Sequence, residues 1–362
     1  TKSLDNGINN SDLIIMTGGL GPTKDDITKK TLCTYFGVDL VFDETAFKNV
    51  ERIFNHLKRE VTQVNRDQAL IPANAKALQN NFGTAPGLWF EANNCIIICL
   101  PGVPYEMKDI LSNFVFPQLK KRSSDIVSHR TLVVSGIPES LISEQIESIE
   151  LSLPAELKIA YLPNYGVVRL RISGKGKDAA KIEAELNKTV TSIENILGKH
   201  VIANSDKRIE EVVGDLLSIR KESVSVAESC TGGFVAHLIT STPGSSAYFP
   251  GSVVTYSYEN KTEVLGVDAE LLWNKGAVSQ EVVEKMAKAV RLKNNTDYGV
   301  AISGIAGPSG GTEDKPVGTV WMAVTNGIKT QSKVYHLKGD RRQNIEQSGN
   351  LALEMLRQII LA

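Results

Sequence analysis

Ala227-Glu228-Ser229-Cys230-Thr231-Gly232-Gly233 follows directly on an apolar run at residues 223–227 and leads into a helical pattern that begins near Phe234. A strand that ends in a Gly-rich turn and passes into a helix is the unit from which open α/β sheets are built. Its turn lies at the strand's carboxyl end, where such sheets bind ligands. Upstream, Ile209, Val212, Val213, Leu216 and Leu217 recur at the i, i+3, i+4, i+7, i+8 spacing of one helix face. Downstream come a helical pattern at 281–291 and strands at 299–302, 319–324 and 332–336. A closing helix from about Asn344 turns Ile345, Ala352, Met355, Leu356 and Ile359 inward. These elements predict an α/β/α domain over residues 205–362.

Two further segments extend the α/β reading. A strand at 13–16 leads into Thr17-Gly18-Gly19-Leu20-Gly21-Pro22-Thr23-Lys24-Asp25-Asp26 and a helix at 27–36, and amphipathic segments follow around 46–57. A second strand, 95–100, ends in Pro101-Gly102-Val103-Pro104 and enters a helix at Tyr105. Strands alternating with helices predict a parallel sheet covered on both faces, assigned to residues 1–125. A doubly wound domain rarely opens on such a strand, so an earlier strand and helix are expected to be missing. Residues 126–204 read as a small α+β module, with strands at 131–134 and 167–172 and helices at 139–149 and 179–197. Arg169 and Arg171 alternate with apolar neighbours there, no cluster suggests chemistry, and a spacer is expected.

Composition narrows the function classes. The formal net charge is -1 and the Lys/Arg clusters are short, so direct binding of nucleic acid is not expected. No apolar run approaches the roughly 20 residues of a membrane span. Cys33, Cys95, Cys99 and Cys230 form neither a zinc knuckle nor a disulfide framework, which fits a reducing cytoplasm. Cys95 and Cys99 share one side of an apolar strand and read as core.

Chemistry concentrates after residue 205. Ser229 lies where a hydroxyl projects past a sheet edge, flanked by Thr231, Gly232 and Gly233, and the free amides of the helix start can hold an oxyanion or a phosphate. The same heptapeptide also reads as a helix cap. A serine needs a base, and none of the five histidines stands in a triad context. Thr255-Tyr256-Ser257-Tyr258-Glu259-Asn260-Lys261 offers a substitute: a desolvated lysine loses its proton near neutral pH, and a tyrosine can relay one. Taken alone, Lys261 reads more plainly as the start of a solvated helix. Ser303-Gly304-Ile305-Ala306-Gly307-Pro308-Ser309-Gly310-Gly311 has the small side chains and backbone donors that surround phosphates, but it is neither a P-loop nor a dinucleotide fingerprint. Arg341 fits a bidentate anion clamp, or a surface arginine paired with Asp340 or Glu346.

Taken together, AESCTGG, VTYSYENK, GAVS, SGIAGPSGG, KPVGTVW and GDR resemble the C-terminal domain of the CinA family, nicotinamide mononucleotide (NMN) amidohydrolase. The resemblance covers residues 207–362. It implies hydrolysis of the amide to nicotinic acid mononucleotide and ammonia, without a cofactor. Ser229 would be the nucleophile and Lys261 the base, with Tyr256 assisting. Glu228, Thr231, Gly232, Gly233, Ser303, Gly304, Gly307 and Arg341 would form the substrate pocket. It also implies a homodimer acting on a small nucleotide, away from membranes.

TGGLGPTKDD, GTAPG and LPGVPYEM resemble the N-terminal domain of the same family, related to the molybdopterin-binding MoaB/Mog fold, a three-layer α/β/α domain. Some members hydrolyse ADP-ribose with a divalent metal. Gly18, Gly19, Gly21, Asp25, Asp26, Pro101, Gly102 and Glu106 are the corresponding candidate site, with Asp25 and Asp26 as candidate metal ligands. The middle module resembles the family's KH-like domain. Two other functions compete with the amidase reading: a non-catalytic nucleotide- or pterin-binding adaptor linked to competence and DNA damage, and a bifunctional enzyme that adds ADP-ribose hydrolysis.

Overall fold

A computed structural model describes residues 2–122, 125–164 and 166–362. The chain forms two compact units, residues 1–124 and 125–362. Among the described residues, no helix is long and apolar enough to cross a membrane.

The first unit contains strands β1 (Leu13–Thr17), β2 (Leu40–Phe42), β3 (Leu70–Pro72), β4 (Lys76–Leu78), β5 (Gly87–Ala92) and β6 (Cys95–Leu100). The main sheet has the order β1-β6-β5-β4, and β2 pairs with β3 separately. Apolar residues fill both faces: Leu88, Phe90, Cys95, Ile97 and Cys99 pack with Leu32, while Trp89, Ile98 and Leu100 pack with Ile110 and Val115. The sheet is therefore covered on both sides, and Cys95 and Cys99 are core residues. It is not all-parallel, however. Only β1 and β6 run parallel, while β5 pairs antiparallel with both β6 and β4. The cause is local: Asn93 and Asn94 take positive φ values of 51° and 64° and close a two-residue hairpin. Such a turn can only join antiparallel neighbours.

The second unit begins with a four-stranded antiparallel sheet. It comprises β7 (Ile126–Ser135), β8 (Leu157–Asn164), β9 (Val167–Gly176) and β10 (Val201–Ala203), in the order β10-β7-β9-β8. Helices Glu139–Leu151 and Ala179–Leu197 supply Ile142, Ile146, Leu186 and Ile193 to a core with Leu132, Leu170 and Ile172. Strand β8 has no counterpart in the sequence reading. It is an edge strand with its outward residues exposed and Pro163 near its end, features that weaken the strand signal.

The remaining residues form a five-stranded sheet: β11 (Val224–Glu228), β12 (Gly251–Val254), β13 (Tyr298–Gly304), β14 (Thr319–Thr325) and β15 (Thr330–His336), in the order β12-β11-β13-β14-β15. The first three in that order are parallel; β14 and β15 are antiparallel additions. Helices Ile209–Arg220 and Arg341–Leu361 cover one face through Val213, Leu217, Leu353 and Leu356. Helix Gln280–Asn294 covers the other through Val283, Met286, Ala287 and Val290. It packs so closely on β13 that a Cβ at Gly299 would lie 2.1 Å from the Ala287 carbonyl oxygen. This α/β/α sandwich brings the ends of β11, β12 and β13 to one edge, where the Ser229 turn lies.

Candidate active site

The Ser229 turn is built by its neighbours. The Ser229 amide donates to Ile302 O (3.0 Å), which ties the turn to β13. Gly232 and Gly233 adopt left-handed φ values of 61° and 101°, a conformation that favours glycine and lets the chain reverse into helix Phe234–Thr240. The start of that helix is already occupied. Glu228 is fully buried, and its carboxylate accepts from the amides of Gly233 (3.0 Å), Val235 (3.1 Å) and Ala236 (2.9 Å). Glu228 is thus a helix cap and not a pocket residue. The amides once free to hold a phosphate there are satisfied by protein. The amides of Cys230 and Thr231 donate to no main-chain carbonyl among the described residues.

Lys261 comes from helix Tyr258–Leu265, which Ser257 caps by accepting from the Asn260 amide. It is fully buried. Its Nζ lies 3.0 Å from Ser229 Oγ and donates to Thr255 O at 2.7 Å. Thr255 is held in turn by its amide, which donates to Glu228 O at 2.8 Å. No carboxylate pairs with Lys261 among the described residues, and burial pulls its pKa down from 10.5 to about 8. A lysine so placed is about one-tenth neutral at pH 7 and half neutral near pH 8, and in that form it can accept the serine proton. Cys230, beside the serine, is the opposite case. Burial pushes its thiol up to about 12, so it stays protonated and weakly nucleophilic.

Ser229 and Lys261 open on a cleft of about 240 Å³ that is also lined by Cys230, Tyr256, Ala277, Val278, Ser303, Gly304, Gly307, Ser309, Gly310 and Arg341. Ser303 Oγ donates to Ala277 O (2.8 Å). Arg341 opens helix Arg341–Leu361 and pairs with neither Asp340 nor Glu346. Asp340 caps the helix through the Gln343 amide, and Glu346 pairs with Arg342. The Arg341 guanidinium instead donates to Gly307 O (2.8 Å) and Tyr256 Oη (2.8 Å). Among the described residues it is the one charged group at the cleft besides Lys261, and no acidic side chain lines the cleft. Tyr256 therefore stands with Arg341 at the exposed mouth. Its hydroxyl makes no hydrogen bond to Ser229 or Lys261 among the described residues.

Thr231, Gly232 and Gly233 do not line the cleft. The glycines shape the turn, and Thr231 is buried behind it. Sequence reasoning gave no role to Thr255 or Ala277, because both act through main-chain carbonyls and such groups leave no residue-type signature. The GAVS motif at 276–279 was the available signal for Ala277.

In the first unit, the turns after β1 and β6 adjoin. The Gly18 amide donates to Leu100 O (2.8 Å), and a Cβ on Gly102 would lie 3.6 Å from Gly18 Cα. Gly18, Gly19, Gly21, Pro101 and Gly102 thus gather at the carboxyl ends of the two parallel strands. The acidic candidates lie apart from one another in their contacts. Asp26 folds back to accept from the Thr23 hydroxyl (2.6 Å) and amide (2.9 Å), and that hydroxyl is the main cause holding its pKa below the usual carboxylate value. Asp25 is exposed on its own. Glu106 is buried and accepts from Asn80 Nδ2 (2.7 Å), where it fixes the 80–85 loop. Among the described residues, no three of His, Cys, Asp and Glu come together as a metal site.

The α/β/α domain thus sets a serine hydroxyl 3.0 Å from the amine of a buried lysine at its sheet edge. Comparisons with known proteins define the family. The model for the CinA C-terminal domain matches residues 206–360, that for a probable molybdopterin binding domain matches residues 1–121, and that for the damage-inducible protein CinA KH domain matches residues 129–203. A CinA-like protein from Cytophaga hutchinsonii is 44% identical over 348 residues, 96% of this chain and 83% of its own length. A second, from Flavobacterium psychrophilum, is 43% identical over 98% of this chain and 85% of its own. The crystal structure of competence damage-inducible protein A (ComA) from Klebsiella pneumoniae is 33% identical. It covers 42% of this chain and 96% of its own, with a TM-score of 0.41. The chain belongs to the CinA family, with a MoaB/Mog-like N-terminal domain, a KH-like middle and a CinA C-terminal domain.

Proposed function

We propose that the Ser229 cleft hydrolyses the carboxamide of nicotinamide mononucleotide. The observation that carries this reading is the 3.0 Å approach of Ser229 Oγ to a fully buried lysine that has no carboxylate partner among the described residues. Neutral Lys261 takes the Ser229 proton as Oγ bonds to the carboxamide carbon. The carbonyl oxygen becomes an oxyanion, for which Cys230 at the cleft wall offers its main-chain amide. The tetrahedral intermediate collapses with cleavage of the C–N bond, and Lys261 returns its proton to the leaving nitrogen, which departs as ammonia. Water then attacks the ester on Ser229 with Lys261 again as base, and the carboxylate product leaves. Arg341, with Tyr256 beside it, takes the phosphate at the mouth. Every proton moves between groups of this chain, substrate and water.

The test is to incubate the 362-residue protein with nicotinamide mononucleotide in the presence and absence of a chelator and to quantify ammonia and nicotinic acid mononucleotide. Equal amounts of both products, unaffected by chelator, are expected. Absence of turnover, or turnover that collapses with chelator, would sink the reading.

A further inference from the structure

We propose that Glu228 is a positioning residue: its carboxylate clamps the far side of the Ser229 turn and so keeps the serine hydroxyl on Lys261. This inference rests on the Ser/Lys reading above and adds a residue that does not touch the substrate.

The argument begins with the cost of the group. A carboxylate with no solvent exposure is strongly disfavoured unless each oxygen is satisfied, and here the partners are three main-chain amides. Capping the first turn of a helix needs only a Ser, Thr, Asp or Asn at the residue before it. The residue in that position is Gly233, which has no side chain to do so. The cap comes instead from the last residue of β11, five positions upstream. Its side chain spans the whole 229–232 segment. The turn is therefore closed on one side by the covalent chain and on the other by three hydrogen bonds.

The Glu228 main chain adds a second link. Its carbonyl accepts from the Thr255 amide, and the Thr255 carbonyl holds Lys261 Nζ. One residue thus registers the nucleophile's turn through its side chain and the base's anchor through its backbone. The carboxylate also occupies the helix-start amides that would otherwise attract an anion, so the anionic end of a substrate is left to Arg341.

The test uses Glu228→Gln, which keeps size but puts a donor against amide donors, and Ala236→Pro, which keeps the carboxylate but deletes one of its three amides. The Ala236 amide lies in the first turn of the helix and has no intrahelical acceptor to lose, and the melting readout reports whether the ring is accommodated there. Three readouts are taken from each variant and the parent: kcat and KM on nicotinamide mononucleotide, the rate of Ser229 phosphonylation by a fluorophosphonate probe, and thermal melting. Both variants should melt cooperatively, lose on the order of 10- to 100-fold in kcat and in labelling rate, and keep KM within about threefold, as a displaced reacting group does. Rates within twofold of the parent in both variants would overturn the proposal. A raised KM with unchanged kcat would also overturn it, since Glu228 would then be binding substrate. Loss of cooperative melting in both variants would assign Glu228 to the fold and not the site. The labelling readout does not depend on the substrate, so a parent that labels at Ser229 without deamidating the nucleotide discards the substrate assignment and still tests the clamp.

Discussion

Replacing Lys261 with methionine should abolish turnover and make the protein's stability respond to pH in a distinctive way. Holding the ammonium at about 8 against its ordinary 10.5 corresponds to a burial cost of about 3 kcal/mol when the amine is charged. Below pH 8 the amine is protonated in folded and unfolded chains alike, so that cost is fully present. Between about 8 and 10.5 only the unfolded chain holds the proton, and raising the pH favours the folded state; above 10.5 nothing more is gained. Methionine escapes the cost but forfeits the bonds to Ser229 Oγ and Thr255 O, worth about 1 kcal/mol each. The variant should therefore be more stable than the parent by about 1 kcal/mol at pH 7. Near pH 10, where most of the cost has been recovered, the parent should be ahead by about 1 kcal/mol. Paired denaturant melts at the two pH values measure this, and other titrating groups cancel in the difference. A parent-minus-variant difference that stays constant from pH 7 to pH 10 would refute the buried-amine argument.

Two further outcomes follow from the cleft. Arg341→Ala should raise KM for nicotinamide mononucleotide by about 10- to 100-fold, the worth of a charge-assisted contact, while the phosphate-free riboside shows no such change. Equal losses with both ligands would remove Arg341 from the phosphate end. The pH profile of kcat/KM should rise through a midpoint near pH 8 and level off about a unit or more above it as Lys261 loses its proton, because only the neutral amine can act as base. A profile flat down to pH 6 would point to a different base.

How far the fold could be read in advance depended on how local each cause was. The Ser229 turn, its flanking strand and helix, and the Ile209–Leu217 stripe follow from periodicity and glycine placement, and all stand in the structure. The Asn93-Asn94 hairpin was legible in principle, yet the alternation of strands and helices around it favoured an all-parallel sheet. Strand β8 was not legible, because its pairing with β9 is set by a tertiary partner and its outer face is polar.

The site divides in the same way. Residue types marked Ser229 and the Lys261 segment, whereas only three-dimensional geometry distinguishes Glu228, turned into a helix start, from a pocket carboxylate. Tyr256 sits near Lys261 in sequence but belongs with Arg341 in space. Asp26 has the residue type of a metal ligand, but one of its carboxylate oxygens is turned back onto Thr23.

The most direct test of the Ser229 reading is ammonia release from nicotinamide mononucleotide by the Ser229→Ala protein, measured beside the parent at pH 8. The hydroxyl is the atom that bonds to carbon, so turnover should fall by on the order of 10³-fold or more while cooperative melting is kept. A Ser229→Ala protein that releases ammonia within tenfold of the parent rate would contradict the account, whatever the other variants do.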